Sequence, residues 1–501
     1  MFKRALDRMP LLLQLVGGLV LLLWLLGVHT GTVAKVGIAL AIVTQLTLYK
    51  VRSARFDLSK AESWHLAFLL LWLVLLFGYQ FAQVQLGQQG FDFAIFSDIF
   101  LHFASSLRLD TILIGSNVES FLTHHFSPIL ALPGGIAWLG VPPQIAAIIA
   151  HVLGVTFALY YLYRFAKDAG LANAIVIFCL VLLALNPTFR IGLSWEVHEE
   201  TYALPFLALS YLFWQRKQHT KAALALCVCM LCKETFFFFA ITFSLMALVI
   251  SRLEQQPLKK LLPYLIVSLI ACFGIWFYIL FPPAFIGKTF DATGRISSVS
   301  ELFSASMLQS KFTFLARLFL PFLLAPFWTL RGAILAFPVV AFLGPILLSN
   351  FENMFHPYNY YGVVPTFILA FASVASIQQR FLQVRSIAPA FYLFLICLPL
   401  LAGGPVRPMR TILELRRGPL LSAQELKSLP QDAAVVAKDH DIQFLLHQPK
   451  IYREWTAERL DLPWTHLVLR KSAKEDFSAK LLAQSSTCQD LPNWIIRCRL
   501  E

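Results

Sequence analysis

Charge is scarce in this chain. Only 14% of its 501 residues are Asp, Glu, Lys or Arg, against roughly a quarter in soluble domains. With 58% hydrophobic residues, that scarcity excludes an ordinary soluble protein and indicates an integral membrane protein with many spans. The chain also lacks a P-loop, a GxGxxG and an HExxH, so those signals of nucleotide and zinc chemistry are absent. There is no tandem repeat and no low-complexity tract. No Lys/Arg stripe with interleaved aromatics appears, so the formal net charge of +13 does not indicate nucleic acid. Of eight cysteines, six (179, 227, 229, 232, 272, 397) fall in apolar runs. Cys229 and Cys232 make a CxxC with no second pair, which reads as helix packing rather than a metal site.

What is abundant is oil of helical length. Thirteen apolar windows predict spans at 11–27, 33–50, 62–83, 143–164, 171–187, 201–215, 220–232, 235–252, 260–281, 312–330, 333–350, 361–378 and 386–403. The window 220–232 is short and reads as a half-span. The first window is too long for a secretory h-region and reads as a retained signal anchor. The 45 phenylalanines suit helix packing and lipid contact.

Basic residues orient the set. One side carries Lys3, Arg4, Arg8, then Lys50, Arg52, Arg55, Lys60, then Arg164, Lys167, then Arg216, Lys217, Lys221, then Arg252, Lys259, Lys260, then Arg331, and finally Arg380, Arg385. The other side carries only Arg108, Arg190 and Lys233 in its short loops. The positive-inside rule then makes the N-terminus cytoplasmic and, with an odd number of spans, the C-terminus extracytoplasmic. Segment 126–140, broken by Pro133, Gly134 and Gly135, reads as a juxtamembrane or re-entrant helix on the outer face.

The expected organisation is an all-α polytopic core with a small α/β domain after it. Residues 1–61 hold two spans and a cytoplasmic loop. Residues 62–403 form the transmembrane core with an outer loop at 84–142, and 404–501 form an extracytoplasmic α/β domain. Strands are predicted at Ala433–Ala437 and from Thr465, with a short helix from Asp439. Cys488 and Cys498 flank a turn sequence, and outside the cytoplasm a disulfide would close that hairpin.

Five polar islands interrupt the oil. Phe91–Asp98 opens the first outer loop. If it is helical, Phe93, Phe96 and Phe100 form a stripe suited to the membrane surface, and Asp98 faces His102 at i, i+4. Asp92 lies roughly 120° from Asp98, so the two do not aim at one atom. A carboxylate here serves as a general base or a metal ligand, or else as a helix cap. His124-His125 is followed by Phe-Ser-Pro, and only one of two vicinal histidines in an extended segment reaches a given site. Glu196-Val-His198-Glu199-Glu200 stands at the outer start of span six, where the helix dipole accounts for one acid but not for three beside a histidine. Lys233-Glu234 is either a self-neutralising pair or a lysine for a lipid phosphate. Asn350 to Tyr361 is an outer loop with His356 and Tyr360, whose tyrosines serve as interface anchors or sugar-stacking rings.

Asp92-Phe-Ala-Ile-Phe, His125-Phe-Ser-Pro-Ile-Leu, His198-Glu, Lys233-Glu, and His356 with its following tyrosines and Pro365 together resemble the bacterial family of domain of unknown function 2079, from about residue 88 onward. That family resembles a branch of the GT-C glycosyltransferases, with the protein mannosyltransferases, the oligosaccharyltransferases and the lipid A aminoarabinose transferase. The resemblance implies a cytoplasmic-membrane enzyme that takes a sugar from a polyprenyl-phosphate-linked donor and passes it to an extracytoplasmic glycan, lipid or protein acceptor. Asp92 occupies the position of the catalytic acid in the first outer loop, where a GT-C acid is a base or a metal ligand. Two departures stand beside it: Ala94 replaces a small glycine, and Ser97-Asp98 replaces the usual acid-glutamine pair, which leaves Asp98 as a candidate second acid.

The resulting expectation gives Asp92 the role of base. His125, His198 and Lys233 neutralise donor phosphate, and Glu199 or Glu200 holds the acceptor, a sugar hydroxyl or a cation. His356 and Tyr360 complete the substrate site. A divalent metal is the one cofactor this reading allows, with no ligand set defined by the sequence. Two rival classes use the same residues: a transporter or flippase of a lipid-linked or polar solute, with these residues as a relay, and a non-catalytic membrane scaffold. The lack of an inverted repeat counts against transport.

Overall fold

The computed structural model describes residues 61–85, 89–113, 119–171, 186–195, 197–280, 304–319, 324–349 and 360–381, a C-terminal sheet drawn from 433–437, 450–453, 465–470, 479–490 and 494–499, and isolated positions between them. The predicted spans 11–27, 33–50 and 386–403 lie outside the described residues, as do most of 171–187, the predicted helix after Asp439, Glu196 and His356.

The described core is helical. Helix α1 (Ala61–Gln85) leads to α2 (Phe91–Ser106), which ends where Leu107 turns left-handed at φ 57°. Two short antiparallel strands follow, β1 (Asp110–Thr111) and β2 (Glu119–Ser120). Then come α3 (Ala131–Trp138), α4 (Pro143–Asp168), α5 (Pro187–Trp195), α6 (Glu199–Gln215), α7 (His219–Met230) and α8 (Thr235–Leu253). Helix α9 (Leu262–Gly274) runs on into a wide π turn, Ile275–Leu280. Helix α10 (Ala305–Phe319) precedes α11 (Leu330–Ala336) and α12 (Val340–Leu348), which are joined by a 3-10 turn, and α13 (Val363–Phe381) closes the core.

Five described stretches have the length and apolarity to cross a bilayer: Pro143–Asp168, Thr235–Leu253, Lys259–Ile279, Leu330–Leu348 and Tyr360–Gln379. The expected half-span is α7, at 12 residues too short to cross. The expected juxtamembrane segment is α3, at 8 residues shorter still. One window needs correction. The chain does not continue as one helix over 312–330, because beyond the described α10 Leu324 adopts φ 56° and Pro326 sits in a 3-10 turn. Thr329 then caps α11 by accepting from the Gly332 N–H.

Local chemistry explains the helix ends that matter. Pro143 starts α4 at the position where a missing N–H costs nothing. Gly170 ends it at φ 77°, with the Leu171 N–H reaching back to the Ala166 carbonyl. Helices α4 and α6 cross closely at Gly154, where a Cβ would lie 2.9 Å from the Thr201 carbonyl oxygen. That carbonyl has no helical donor four residues on, because Pro205 stands there. A small residue against a freed carbonyl is a membrane-helix contact made by backbone approach rather than by hydrophobic force. Buried phenylalanines fill the remainder; Phe165, Phe371 and Tyr211 pack ring on ring, and the Tyr211 hydroxyl donates to the Leu335 carbonyl at 2.9 Å.

The helices give the core two chemically different ends. One end collects α4, α6 and α8 at their C-termini with the start of α11. There Arg216 meets Asp168 at 2.5 Å, and Glu254 accepts from Lys217 and, at 2.8 Å, from Arg331. The other end collects the starts of α6, α8 and α13 with the start of α2. Seventeen residues of α6 separate the two by roughly 25 Å.

The C-terminal strands form one mixed five-stranded sheet, in the order β4-β3-β5-β7-β6. Strand β3 (Ala434–Ala437) pairs in parallel with β4 (Lys450–Arg453) and β5 (His466–Arg470), and β5 is antiparallel to β7 (Trp494–Arg499). Strand β6 (Ser485–Asp490) pairs antiparallel with β7, with a register shift between Thr487 and Gln489. A short helix, α14 (Ala479–Ala483), precedes β6. Both predicted strands appear within a residue of their expected starts; β4 was not anticipated.

Candidate active site

The site is assembled at the acid-rich end, from elements far apart in sequence. Gly90, in extended backbone, opens α2, so Asp92 falls in the first helical turn, where the dipole favours a carboxylate. Its side chain is 43% exposed, while the next eight residues of α2, Phe93 to Phe100, are buried. Phe93, Phe96 and Phe100 are among them, packed into the core. The expected membrane-surface stripe is therefore an inward one; α3, α4 and the β1 corner cover that face of α2 and bury its rings instead.

His198 precedes α6 in extended backbone (φ −136°, ψ 152°). Its carbonyl accepts from both the Thr201 N–H (3.1 Å) and the Thr201 hydroxyl (2.7 Å), which closes the first turn. The Thr201 hydroxyl also meets His151 Nδ1 at 3.0 Å, a fully buried histidine from the middle of α4. Held this way, the His198 imidazole is 2% exposed and sits between acids. Nε2 lies 3.6 Å from Asp92 Oδ2, and Nδ1 lies 3.8 Å from Glu199 Oε2 and 3.9 Å from Glu200 Oε2. Tyr360, at the start of the α13 span, stacks on the ring with centroids 3.3 Å apart, and Phe96 meets it edge-on at 6.0 Å.

Lys233 and Glu234, adjacent in sequence at the α7–α8 corner, do not neutralise each other as a closed pair. Lys233 Nζ bonds Glu200 Oε1 at 2.6 Å and Glu199 Oε1 at 2.9 Å. Glu234 turns the other way: Oε1 lies 3.0 Å from His125 Nδ1, and Oε2 accepts from the Phe126 N–H at 3.1 Å. The split follows from the helix start at Thr235, which aims consecutive side chains at different neighbours. It also spends the Lys233 charge on two carboxylates. Burial alone would lower the His125 pKa, but the Glu234 carboxylate beside it more than offsets that, so the imidazolium is favoured. Burial likewise pushes Glu234 up, and His125 pulls it below the usual range.

The vicinal histidines part as expected. His125 faces Glu234, and His124 faces Glu119 at 3.3 Å. A chain of rings also links His125 to His198: Phe121 at 5.7 Å, then Phe96 a further 5.8 Å on, then His198. Asp98 does not join the site. It is 1% exposed, accepts from the Thr111 hydroxyl (2.8 Å) and the Ile112 N–H (2.9 Å), and lies 3.7 Å from His102. Burial raises its pKa, partly opposed by those two hydrogen bonds. It pins the β1 corner to α2.

The geometry thus gathers Asp92, His198, Glu199, Glu200, Lys233 and Tyr360, sets His125 with Glu234 beside them, and leaves Asp98 apart. Sequence reasoning missed Thr201, which fixes the His198 backbone, and His151, which supports it; a lone histidine inside span four was the available signal. His198, Glu199 and Glu200 bring ligand atoms within 4.8 Å of one another, the one set of metal-binding type found among the described residues. Half-exposed acid against buried imidazole is an arrangement for taking a proton from a bound hydroxyl.

Residues 82–462 match the family described as "Predicted membrane protein (DUF2079)". No curated protein matches the chain. Among solved structures, the fold is similar to that of ArnT from Cupriavidus metallidurans. In its crystal structure bound to undecaprenyl phosphate, the TM-score is 0.53 at 12% identity, covering 87% of this chain and 98% of that one. In the apo state the TM-score is 0.52 at 12% identity, covering 88% and 99%.

Proposed function

This chain belongs to the DUF2079 family of predicted membrane proteins, and from that premise we propose that it is a membrane glycosyltransferase using a polyprenyl-phosphate-linked sugar. The observation that carries the reading is the pairing of half-exposed Asp92 with buried His198, brought together from two helix starts at the acid-rich end of a multi-pass core of GT-C fold. The basic belt at the opposite end supports placing that belt in the cytoplasm and the site on the outer face. The C-terminal sheet then stands outside the cytoplasm. Cys498 is disulfide-bonded, and the neighbouring strand carries Cys488, which supports their pairing there.

In this reading Asp92 takes the proton of an acceptor hydroxyl. The freed oxygen forms a bond to the anomeric carbon, the bond from that carbon to the phosphate oxygen breaks, and polyprenyl phosphate leaves with the electron pair. His198 holds the Asp92 carboxylate in place and is itself held by Tyr360 and the Glu199–Glu200 pair. Phosphate neutralisation falls to His125, whose imidazolium Glu234 sustains and whose side chain is 35% exposed, rather than to Lys233. Tyr360, with Tyr361 stacked at 4.3 Å, lines the sugar side, and His356 precedes them in the same loop sequence.

The test is transfer of label from undecaprenyl-phosphate-linked sugars by the purified protein in liposomes. Wild type transfers, and Asp92→Asn of unchanged thermal stability loses transfer by about 10²–10⁴-fold. Retained transfer in Asp92→Asn removes it from the base role. Movement of the lipid-linked sugar across the bilayer without transfer identifies a flippase instead.

A further inference from the structure

The residues that look most like a metal site are already occupied by a cation of the protein's own. A GT-C fold makes a divalent cation the cofactor to consider, and His198, Glu199 and Glu200 form the fitting donor set in composition. Their arrangement argues otherwise. Each glutamate turns Oε1 to Lys233 Nζ, at 2.9 and 2.6 Å, and its other oxygen toward His198 Nδ1, at 3.8 and 3.9 Å. A metal at ordinary coordination distance from these oxygens, roughly 2.0–2.2 Å, would stand within a few ångströms of the ammonium. Lys233 cannot easily withdraw. Its side chain is 9% exposed, Tyr360 covers it with the ring centroid 5.5 Å away, and the helix start at Thr235 fixes its backbone. Glu234 is committed to His125 and the Phe126 N–H, so it offers Lys233 no alternative bond of the same kind.

We propose that Lys233 is a built-in cation: its ammonium takes the place of a divalent metal between Glu199 and Glu200, and this site works without one. The lysine joins the starts of α6 and α8 through one atom, and it holds both glutamates against His198. Metal selectivity here is therefore set by a residue outside the donor set, since the same two acids and histidine become a metal site when the lysine charge is removed.

The experiment is metal binding to the purified full-length protein after chelator treatment, with Mn²⁺ followed by loss of its free EPR signal and Zn²⁺ by calorimetry. The variants are Lys233→Met, close in volume without charge, and Lys233→Met combined with Glu199→Gln and Glu200→Gln. Wild type takes up no equivalent that depends on Glu199 or Glu200. Lys233→Met gains one equivalent bound at least tenfold more tightly than any wild-type uptake, and the triple variant loses it. One equivalent bound by wild type and removed by Glu199→Gln overturns the proposal. So does a folded Lys233→Met that binds no better than wild type. If Lys233→Met does not fold, wild type against Glu199→Gln decides: identical uptake supports the built-in cation, and uptake lost with the glutamate refutes it. The readout is occupancy, so the outcome is independent of whether the protein transfers sugar.

Discussion

Replacing Glu234 by Gln removes the charge from a latch that ties the outer loop to the start of α8. Glu234 is 3% exposed and accepts two hydrogen bonds, from His125 Nδ1 at 3.0 Å and from the Phe126 N–H at 3.1 Å. Hydrogen bonds to a charged group contribute roughly 1.5–3 kcal/mol each. The glutamine amide oxygen still accepts from Phe126, but its NH₂ meets His125 only if the imidazole is neutral. The net loss is about 2 kcal/mol, one charge-assisted bond less a weak neutral replacement. The pH dependence identifies the source. His125 has a raised pKa in the fold, so its share of the stability is full below about 6.5 and disappears as pH rises through the folded value. Glu234 has a depressed pKa, so its share is present above about 4.5 and disappears as pH falls through the folded value. The wild type should therefore exceed Glu234→Gln in stability most clearly between pH 4.5 and 6.5, with the gap closing above that window. Thermal unfolding in one detergent from pH 4 to 9, followed by tryptophan fluorescence, reads this. A gap that is flat across pH, or absent at pH 6, refutes the latch as an ion pair.

Asp98→Asn should leave sugar transfer within a few-fold of wild type, because Asp98 holds the β1 corner rather than the site; a loss comparable to Asp92→Asn in the same liposome assay would return it to catalysis. Gly154→Val should destabilise the core by about 1–3 kcal/mol through forced separation of α4 from the Thr201 carbonyl, measured as a lowered unfolding temperature. Unchanged stability would mean the crossing is looser than described. Glu254→Ala should cost less than about 1 kcal/mol despite losing two cationic partners, since the group is 27% exposed and the pairs are screened. A larger effect, or one insensitive to salt, would make that belt a structural keystone.

Fold class was legible because oil has a length. Runs such as Pro143–Asp168 and Thr235–Leu253 are set by bilayer thickness and need no tertiary context. The break at Leu324 was not legible, because apolar residues run through it and it comes from left-handed backbone. The acid and histidine islands were visible as charge beside hydrocarbon, and the separation of Asp92 from Asp98 followed from helical geometry alone. Which charge faces which was not visible. Lys233 and Glu234 look like a pair in sequence, yet each is paired across the fold, at separations of 33 and 109 residues. The sequence shows the phenylalanines of α2 as a stripe but not that they face inward, because periodicity gives the face and not what covers it.

The proposed transfer depends most on the Asp92–His198 site facing the outer side of the membrane. A cysteine introduced as Asp92→Cys, in a background without other reactive cysteines, should be labelled by a membrane-impermeant maleimide added outside sealed spheroplasts. A cysteine in place of Lys217, in the basic belt, should be labelled only after the membrane is opened. Labelling in the reverse order, or of both from the same side, would contradict it.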